Sequence, residues 1–274
     1  MTDFLPFSVS MCVYGGDDPN HFQTAVESVL HQTVKPAEVV IVVDGPIPPA
    51  LERVVAGFEK LPIFRIVRLE ENKGHGVARR TSLAHCTYDV VALMDADDIS
   101  VPTRFEKQLA VLSGDESLSI VGGNIAEFIG TEENVVGYRE VPPTDREIKE
   151  YLKTRCPMNQ VTVMFRKQDV QDVGGYVDWY CEEDYYLWLR MHLAGMRFAN
   201  VAETLVNVRI GEDMYRRRGG TKYFISEWKL QRYMLRNRVI GVPTYCVNVC
   251  KRLIVQVLLP NRVRGWVFRK FARN

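Results

Sequence analysis

Val90-Val91-Ala92-Leu93-Met94-Asp95-Ala96-Asp97-Asp98 is the stretch on which the reading of this chain turns. An apolar run ends in three carboxylates within four residues. The run has the length and composition of a strand buried on both faces. The acids follow at its carboxyl end, where open α/β sheets bind their ligands. Two carboxylates one residue apart on a turning chain reach one hard cation, which keeps sites open for diphosphate oxygens. Alone, Asp-x-Asp fits a solvated acidic loop or a helix cap as well, so its weight comes from its surroundings.

Outward from that stretch, short apolar runs alternate with helical patterns. Phe7–Tyr14, Glu38–Val43, Phe64–Leu69 and Asp89–Met94 read as strands, and His21–His31, Ala50–Lys60 and Val77–Cys86 as helices. This alternation predicts a mostly parallel sheet with helices on both faces. Right-handed crossovers place the strand ends on one rim. Polar groups stand at each end: Tyr14-Gly15-Gly16-Asp17-Asp18, Asp44-Gly45-Pro46, Glu70-Glu71-Asn72-Lys73-Gly74, and Asp95 with Asp97. Solvation alone does not account for four successive strands aiming polar groups at one edge. Further on, Ser119–Ile129, Val135–Val141 and Val161–Phe165 read as strands, Asp145–Lys153 and Asp184–Ala194 as helices, and Phe198–Ile210 as extended. Arg216-Arg217-Arg218-Gly219-Gly220 reads as a mobile junction before basic amphipathic helices.

The chain has 274 residues, 46% hydrophobic and 25% charged, which suits one large α/β domain with an extension or two small domains. A net charge of +1 argues against a general nucleic-acid binder but hides an asymmetry. From Lys222 to Asn274 there are twelve Lys or Arg and one acid, Glu227, so the rest is acidic overall. The six cysteines (Cys12, Cys86, Cys156, Cys181, Cys246, Cys250) contain no C-x-x-C pair and suit a reducing compartment. The five histidines form no ligand-spaced set. The N-terminus lacks the basic start and apolar core of a signal peptide, and no uninterrupted apolar run reaches the length of a membrane span.

Taken in order, these residues resemble family 2 glycosyltransferases of the GT-A fold, and within them the bacterial exopolysaccharide transferases of the amylovoran type. The matching pieces are Val9-Ser10-Met11-Cys12-Val13-Tyr14, Val42-Val43-Asp44-Gly45-Pro46, Asn72-Lys73-Gly74, Met94-Asp95-Ala96-Asp97-Asp98-Ile99-Ser100, Thr162-Val163-Met164-Phe165-Arg166, Gly174-Gly175-Tyr176 and Glu183-Asp184-Tyr185-Tyr186-Leu187-Trp188-Leu189-Arg190. The resemblance covers roughly residues 7–220. It implies a catalytic domain over 1–220, with a nucleotide-sugar half to about residue 100 and an acceptor half to 220, followed by a basic helical extension over 221–274. It also implies inverting transfer of a sugar from a nucleotide-sugar donor, a UDP-sugar, to a saccharide acceptor linked to lipid diphosphate.

Roles follow residue by residue. Asp97 is the expected direct ligand of Mn²⁺ or Mg²⁺, with Asp95 nearer the ribose and the water shell of the metal. The resemblance puts Asp44 and Tyr14 at the uracil ring, Asn72 in the donor loop, and Arg79 at base, ribose or phosphate. A turn-forming Asp44 and a surface Arg79 are the bland alternatives. Asp98, shortly before Pro102, reads as a helix cap. An inverting transfer needs a general base on the acceptor side, and Asp184 leads for that role, with Glu183 as substitute. Acids opening a helix are otherwise explained by its dipole. Where the subfamily has Asn-His, this chain has Asn159-Gln160, which weakens any role of that histidine here.

The extension combines Trp228, Tyr233, Leu253, Ile254, Val257, Trp266, Val267 and Phe271 with its basic residues. Such helices favour anionic membrane surfaces, although a packed cover on the catalytic domain fits equally. The expected place is the cytoplasmic face of the plasma membrane, bound peripherally, with no nucleic-acid partner. A non-catalytic nucleotide-sugar-binding subunit is the alternative, opposed by the intact Asp95, Asp97 and Asp184. A nucleotidyltransferase would want a basic triphosphate loop where this chain has Gly15-Gly16-Asp17-Asp18.

Overall fold

The computed structural model describes residues 4–211 and 219–259. Its first half follows the alternation: β1 (Phe7–Tyr14), α1 (Pro19–Leu30), β2 (Glu38–Asp44), α2 (Pro49–Glu59), β3 (Phe64–Arg68), α3 (His75–His85) and β4 (Val90–Met94). β1 lies between β2 and β4, β3 lies outside β2, and all four are parallel. Side chains alternate between faces, as the strand period requires. Val9, Met11, Ile41, Ala92 and Met94 join Phe22 of α1 and Leu51 of α2 in one apolar core, while Val40, Val91 and Leu93 join Leu83 of α3 in the other.

Beyond β4 the sheet becomes mixed. The chain adds β5 (Ile99–Ser100), α4 (Arg104–Gly114), β6 (Leu118–Phe128), β7 (Val135–Arg139), α5 (Asp145–Tyr151), β8 (Met164–Arg166), α6 (Lys167–Asp172), α7 (Glu183–Leu193) and β9 (Arg197–Arg209). The nine-stranded order is β3-β2-β1-β4-β8-β6-β9-β5, with β7 paired to β6. β8 is antiparallel to both β4 and β6, and β9 returns parallel to β6. The expected strand over 161–165 is divided: Thr162 Oγ1 and N both donate to the Asn159 carbonyl, closing a 3₁₀ turn over Gln160–Thr162 before β8 starts. On β6 a Cβ at Gly123 would come within 2.4 Å of Leu205 on β9, so only glycine allows this approach.

Two helices, α8 (Thr221–Arg236) and α9 (Val242–Leu253), continue into a π-helical turn, Ile254–Leu258. α8 buries Leu230 and Met234 in the second core. Its Tyr233 packs edge-on against Tyr186 of α7 at 4.9 Å, and Ser226 Oγ donates to the Tyr180 carbonyl at 2.5 Å. α8 is thus a packed cover. Arg216, Arg217, Arg218, Trp266, Val267 and Phe271 lie outside the described residues. Among the described residues no helix is long and apolar enough to cross a membrane. All six cysteines are free thiols.

Candidate active site

β4 ends between two buried arginines. Arg79 on α3 is 1% exposed; its Nη1 donates to the carbonyls of Ser10 (3.0 Å) and Met94 (3.2 Å), and its Nη2 to the Asp95 carboxylate. Its Nε donates to His75 Nε2 at 3.2 Å. Arg104 on α4 is fully buried and donates from Nη2 to the Leu93 carbonyl at 2.7 Å and from Nε to Gln108 at 3.0 Å. Burial pushes Arg104 down to about 9, against the pull of Asp95 and Asp98. Two guanidiniums therefore fix the last carbonyls of β4. Arg79 is no surface arginine but a keystone joining β1, β4 and the acid turn.

The three acids diverge. Asp95 leans on Arg79 with its side chain 32% exposed. Asp97 is exposed, and its carbonyl accepts Arg209 Nε at 3.2 Å. Asp98 turns inward, 4% exposed, and its Oδ1 accepts the Arg209 amide at 2.9 Å. The cap expected of Asp98 is not formed: β5 and Pro102 intervene, the chain there is extended, and α4 starts after Thr103. Burial, with Asp97 and Asp95 adding repulsion, holds the Asp98 carboxyl well above the usual carboxylate range. Asp17, after β1, joins this group. Its Oδ2 accepts the Tyr14 amide at 2.9 Å. Burial, with repulsion from Asp97 and Asp95, raises it to about 6.

The neighbouring loops form a wall. Asp44 at the end of β2 is 4% exposed; its Oδ1 accepts the Lys73 amide at 2.7 Å and its Oδ2 the Gly74 amide at 3.0 Å. Asn72 donates from Nδ2 to the Asp44 carbonyl at 3.3 Å and accepts the Gly74 amide at 3.2 Å. Asp44 and Asn72 thus first organise the loop that opens α3. Tyr14 presents a ring 46% exposed, lying against Gly16.

Opposite stand the acids of α7. Burial and then the charge of Asp184 raise Glu183 to about 7, opposed by Arg79 and helped by Asp95. Asp184 accepts the Tyr185 amide on Oδ1 at 2.6 Å, and Cys156 Sγ on Oδ2 at 3.8 Å. Tyr176, 1% exposed, stands between the sets. Burial pushes its hydroxyl up; Arg79 offsets this, Asp184 and Glu183 add to it, and the Gln160 carboxamide lies beside it. The structure therefore gathers Asp95, Asp97, Arg79, Glu183 and Asp184 about one centre, with Tyr14, Asp44 and Asn72 on its rim. Sequence reasoning missed Asp17, Arg104, Tyr176 and Arg209. Asp17 had a signal, its place in the polar cluster after β1; Arg104 and Arg209 had none.

The acids suit a hard divalent ion: all donors are oxygens, and beside the burial that chiefly raises Asp17 there is repulsion from Asp97 and Asp95, which a cation would relieve. Among the described residues no three His, Cys, Asp or Glu side chains form a complete cage. Magnesium-type sites completed by substrate phosphates need only one or two carboxylates.

Known proteins fit this geometry. An uncharacterized glycosyltransferase from Haemophilus influenzae is 40% identical over 260 residues, 93% of this chain and 96% of its own. The UDP-Gal:alpha-D-GlcNAc-diphosphoundecaprenol beta-1,3-galactosyltransferase of Escherichia coli is 34% identical, covering 100% of this chain and 99% of its own. The amylovoran biosynthesis glycosyltransferase AmsE of Erwinia amylovora is 33% identical, covering 96% and 98%. The mannosyltransferase PcManGT from Pyrobaculum calidifontis, solved in complex with GDP-Man and Mn²⁺, shares the fold with a TM-score of 0.63 over 96% of this chain and 72% of that one, at 16% identity. Residues 8–174, which carry β1 to β4 and the acid turn, match the profile described as Glycosyl transferase family 2, and the chain belongs to that family as a glycosyltransferase with the GT-A fold.

Proposed function

We propose that the protein transfers a hexosyl group, with inversion, from a UDP-sugar to a hydroxyl of a saccharide carried on lipid diphosphate, in the assembly of a surface polysaccharide. One observation carries this reading: acids from the end of β4 and from the start of α7 both lie within the field of Arg79. Asp95 is its ion-pair partner, and Glu183 and Tyr176 both lie in its field. The substrates for which the E. coli relative is named support the donor and acceptor classes. A lipid-linked acceptor in turn supports a peripheral position on the cytoplasmic, anionic face of the plasma membrane.

On the donor side, Tyr14 and the loop clamped by Asp44 and Asn72 flank the nucleotide base. Asp97 would hold Mn²⁺ or Mg²⁺, with Asp95 in its water shell; such an ion supplies Lewis-acid neutralisation of the diphosphate charge. Arg79 holds Asp95 in place. On the acceptor side Asp184 takes the hydroxyl proton as that oxygen bonds to the anomeric carbon. The carbon–oxygen bond to the diphosphate breaks on the opposite face, which inverts the centre. Ionised Glu183 adds negative charge beside Asp184, where the proton is taken up.

A panel of nucleotide sugars, screened for Mn²⁺-dependent binding and turnover, tests the reading; binding to none of them would end it. Asp184→Asn should keep nucleotide affinity and lower transfer by about 10²-fold or more, the scale of losing a general base. Turnover near wild type would move the base elsewhere. For Glu183 the direction is set by its raised value: protonated below about 7, ionised above. With Asp184, Arg79 and Asp95 as its charged neighbours, kcat/KM should rise with pH through about 7. In Glu183→Gln that limb should vanish from the profile; a limb still centred near 7 would assign it to another group.

A further inference from the structure

α9 is amphipathic the wrong way round. Its polar side chains point into the protein. Asn248, 4% exposed, donates to Gln231 Oε1 and the Lys153 carbonyl, both at 2.9 Å. Arg252 pairs with Glu227 and donates to the Thr154 carbonyl at 3.0 Å. Gln256, 4% exposed, donates to Glu227 at 3.1 Å. These residues recur every four positions, so one face of α9 and the π-helical turn is pinned to α8 and the chain after α5. The apolar residues are left outside: Val242, Val247, Leu253, Ile254, Val257 and Leu258 are all exposed, Leu258 by 66%. Apolar area left in water is unfavourable, and a contiguous stripe of it marks an interaction surface.

We infer that this outward face is a lipid-docking surface that seats the enzyme on an anionic bilayer. It deepens the membrane reading above and rests on it. Charge selects the occupant. The single acid between Lys222 and Asn274, Glu227, is taken up by Arg252 and Gln256 in the interior. Lys251 on the stripe, Lys229, Arg232 and Arg236 on α8, and Arg238 just beyond it, are exposed. Residues 260–274, which follow directly, contain five Lys or Arg, three aromatics and no acid. An apolar stripe in a stretch whose exposed charges on α8 and α9 are all positive suits lipid headgroups over acyl chains. A second copy would bring the same positive charge against itself.

The test uses the full chain and sedimentation with phosphatidylglycerol–phosphatidylcholine vesicles, without substrate. Wild type should bind, more weakly to phosphatidylcholine alone. Ile254→Ser with Leu258→Ser should lower the partition coefficient by about tenfold or more, the scale of burying an aliphatic side chain. Both side chains face solvent, so melting temperature and donor hydrolysis should stay unchanged. R262Q/R264Q/R269Q should instead weaken binding at low salt and flatten its dependence on salt. If wild type binds and Ile254→Ser/Leu258→Ser binds equally well, the membrane reading survives and the stripe is overturned as its site. If wild type ignores these vesicles at low salt, both fail, whatever the outcome for sugar transfer. Concentration-dependent dimers that the double variant abolishes, with no vesicle binding, would make the stripe a protein interface.

Discussion

Asp97→Ala should bind UDP no better with Mn²⁺ than without it, and should lose turnover by about 10³-fold or more. The exposed acid at the end of β4 is the proposed direct ligand, and Lewis-acid neutralisation of a leaving diphosphate is worth several kcal/mol, each 1.4 kcal/mol being tenfold in rate. The fold should survive, because Asp97 is exposed on the turn after β4 and outside both apolar cores. Calorimetric titration of UDP with and without Mn²⁺ into both proteins measures the effect. Equal metal-dependent affinity would remove Asp97 from the ligand set and leave Asp95 and Asp17 as candidates.

Arg79→Met should be the most damaging single change to stability near the site. It removes the donors to the Ser10 and Met94 carbonyls and strips Asp95 of its partner. Breaking a buried pair by deleting one member costs about 3–5 kcal/mol. Asp95 keeps some solvent, with 32% of its side chain exposed, so we expect the lower end, about 3 kcal/mol. At roughly 2–4 °C per kcal/mol for a chain of this size, the melting temperature should fall by roughly 6–12 °C. Arg79→Lys should recover only part of this, since a point charge cannot replace a fork that serves two carbonyls and a carboxylate. A melting temperature within about 2 °C of wild type would show that α3 holds the acid turn by packing alone.

The parallel half of the fold was legible because each strand is a short Val/Ile-rich run and each helix has its own period. α1 starts two residues before the expected His21, at Pro19, where Asp18 Oδ1 accepts two backbone amides. α4 escaped notice because Arg104 and Gln108 interrupt its apolar stripe, and both turn out to be buried. The acids of β4 and α7 were visible as charge gathered at element ends. Asp98 looked like a cap because local sequence does not show that β5 pairs with β9. Tyr176 stands in the matched Gly174-Gly175-Tyr176 but has no role until the fold sets it in the field of Arg79 and the α7 acids. α9 shows a different limit: its pattern reveals two faces but not which one faces out, and the usual assumption is inverted by Asn248, Arg252 and Gln256.

Arg209 ties the acid turn to the end of β9. Its amide reaches Asp98, its Nε the Asp97 carbonyl and its Nη1 the Gly130 carbonyl at 2.7 Å. The bond to Asp98 spans 111 positions of sequence. During synthesis, β1 to β4 can therefore assemble well before the turn at their end is clamped, because chains order their local contacts ahead of distant ones. A nascent chain stopped short of residue 209 would hold the sheet but not a rigid acid turn. The last long strand thus acts as a latch, and competence to grip a donor arrives late, when nearly the whole domain has left the ribosome.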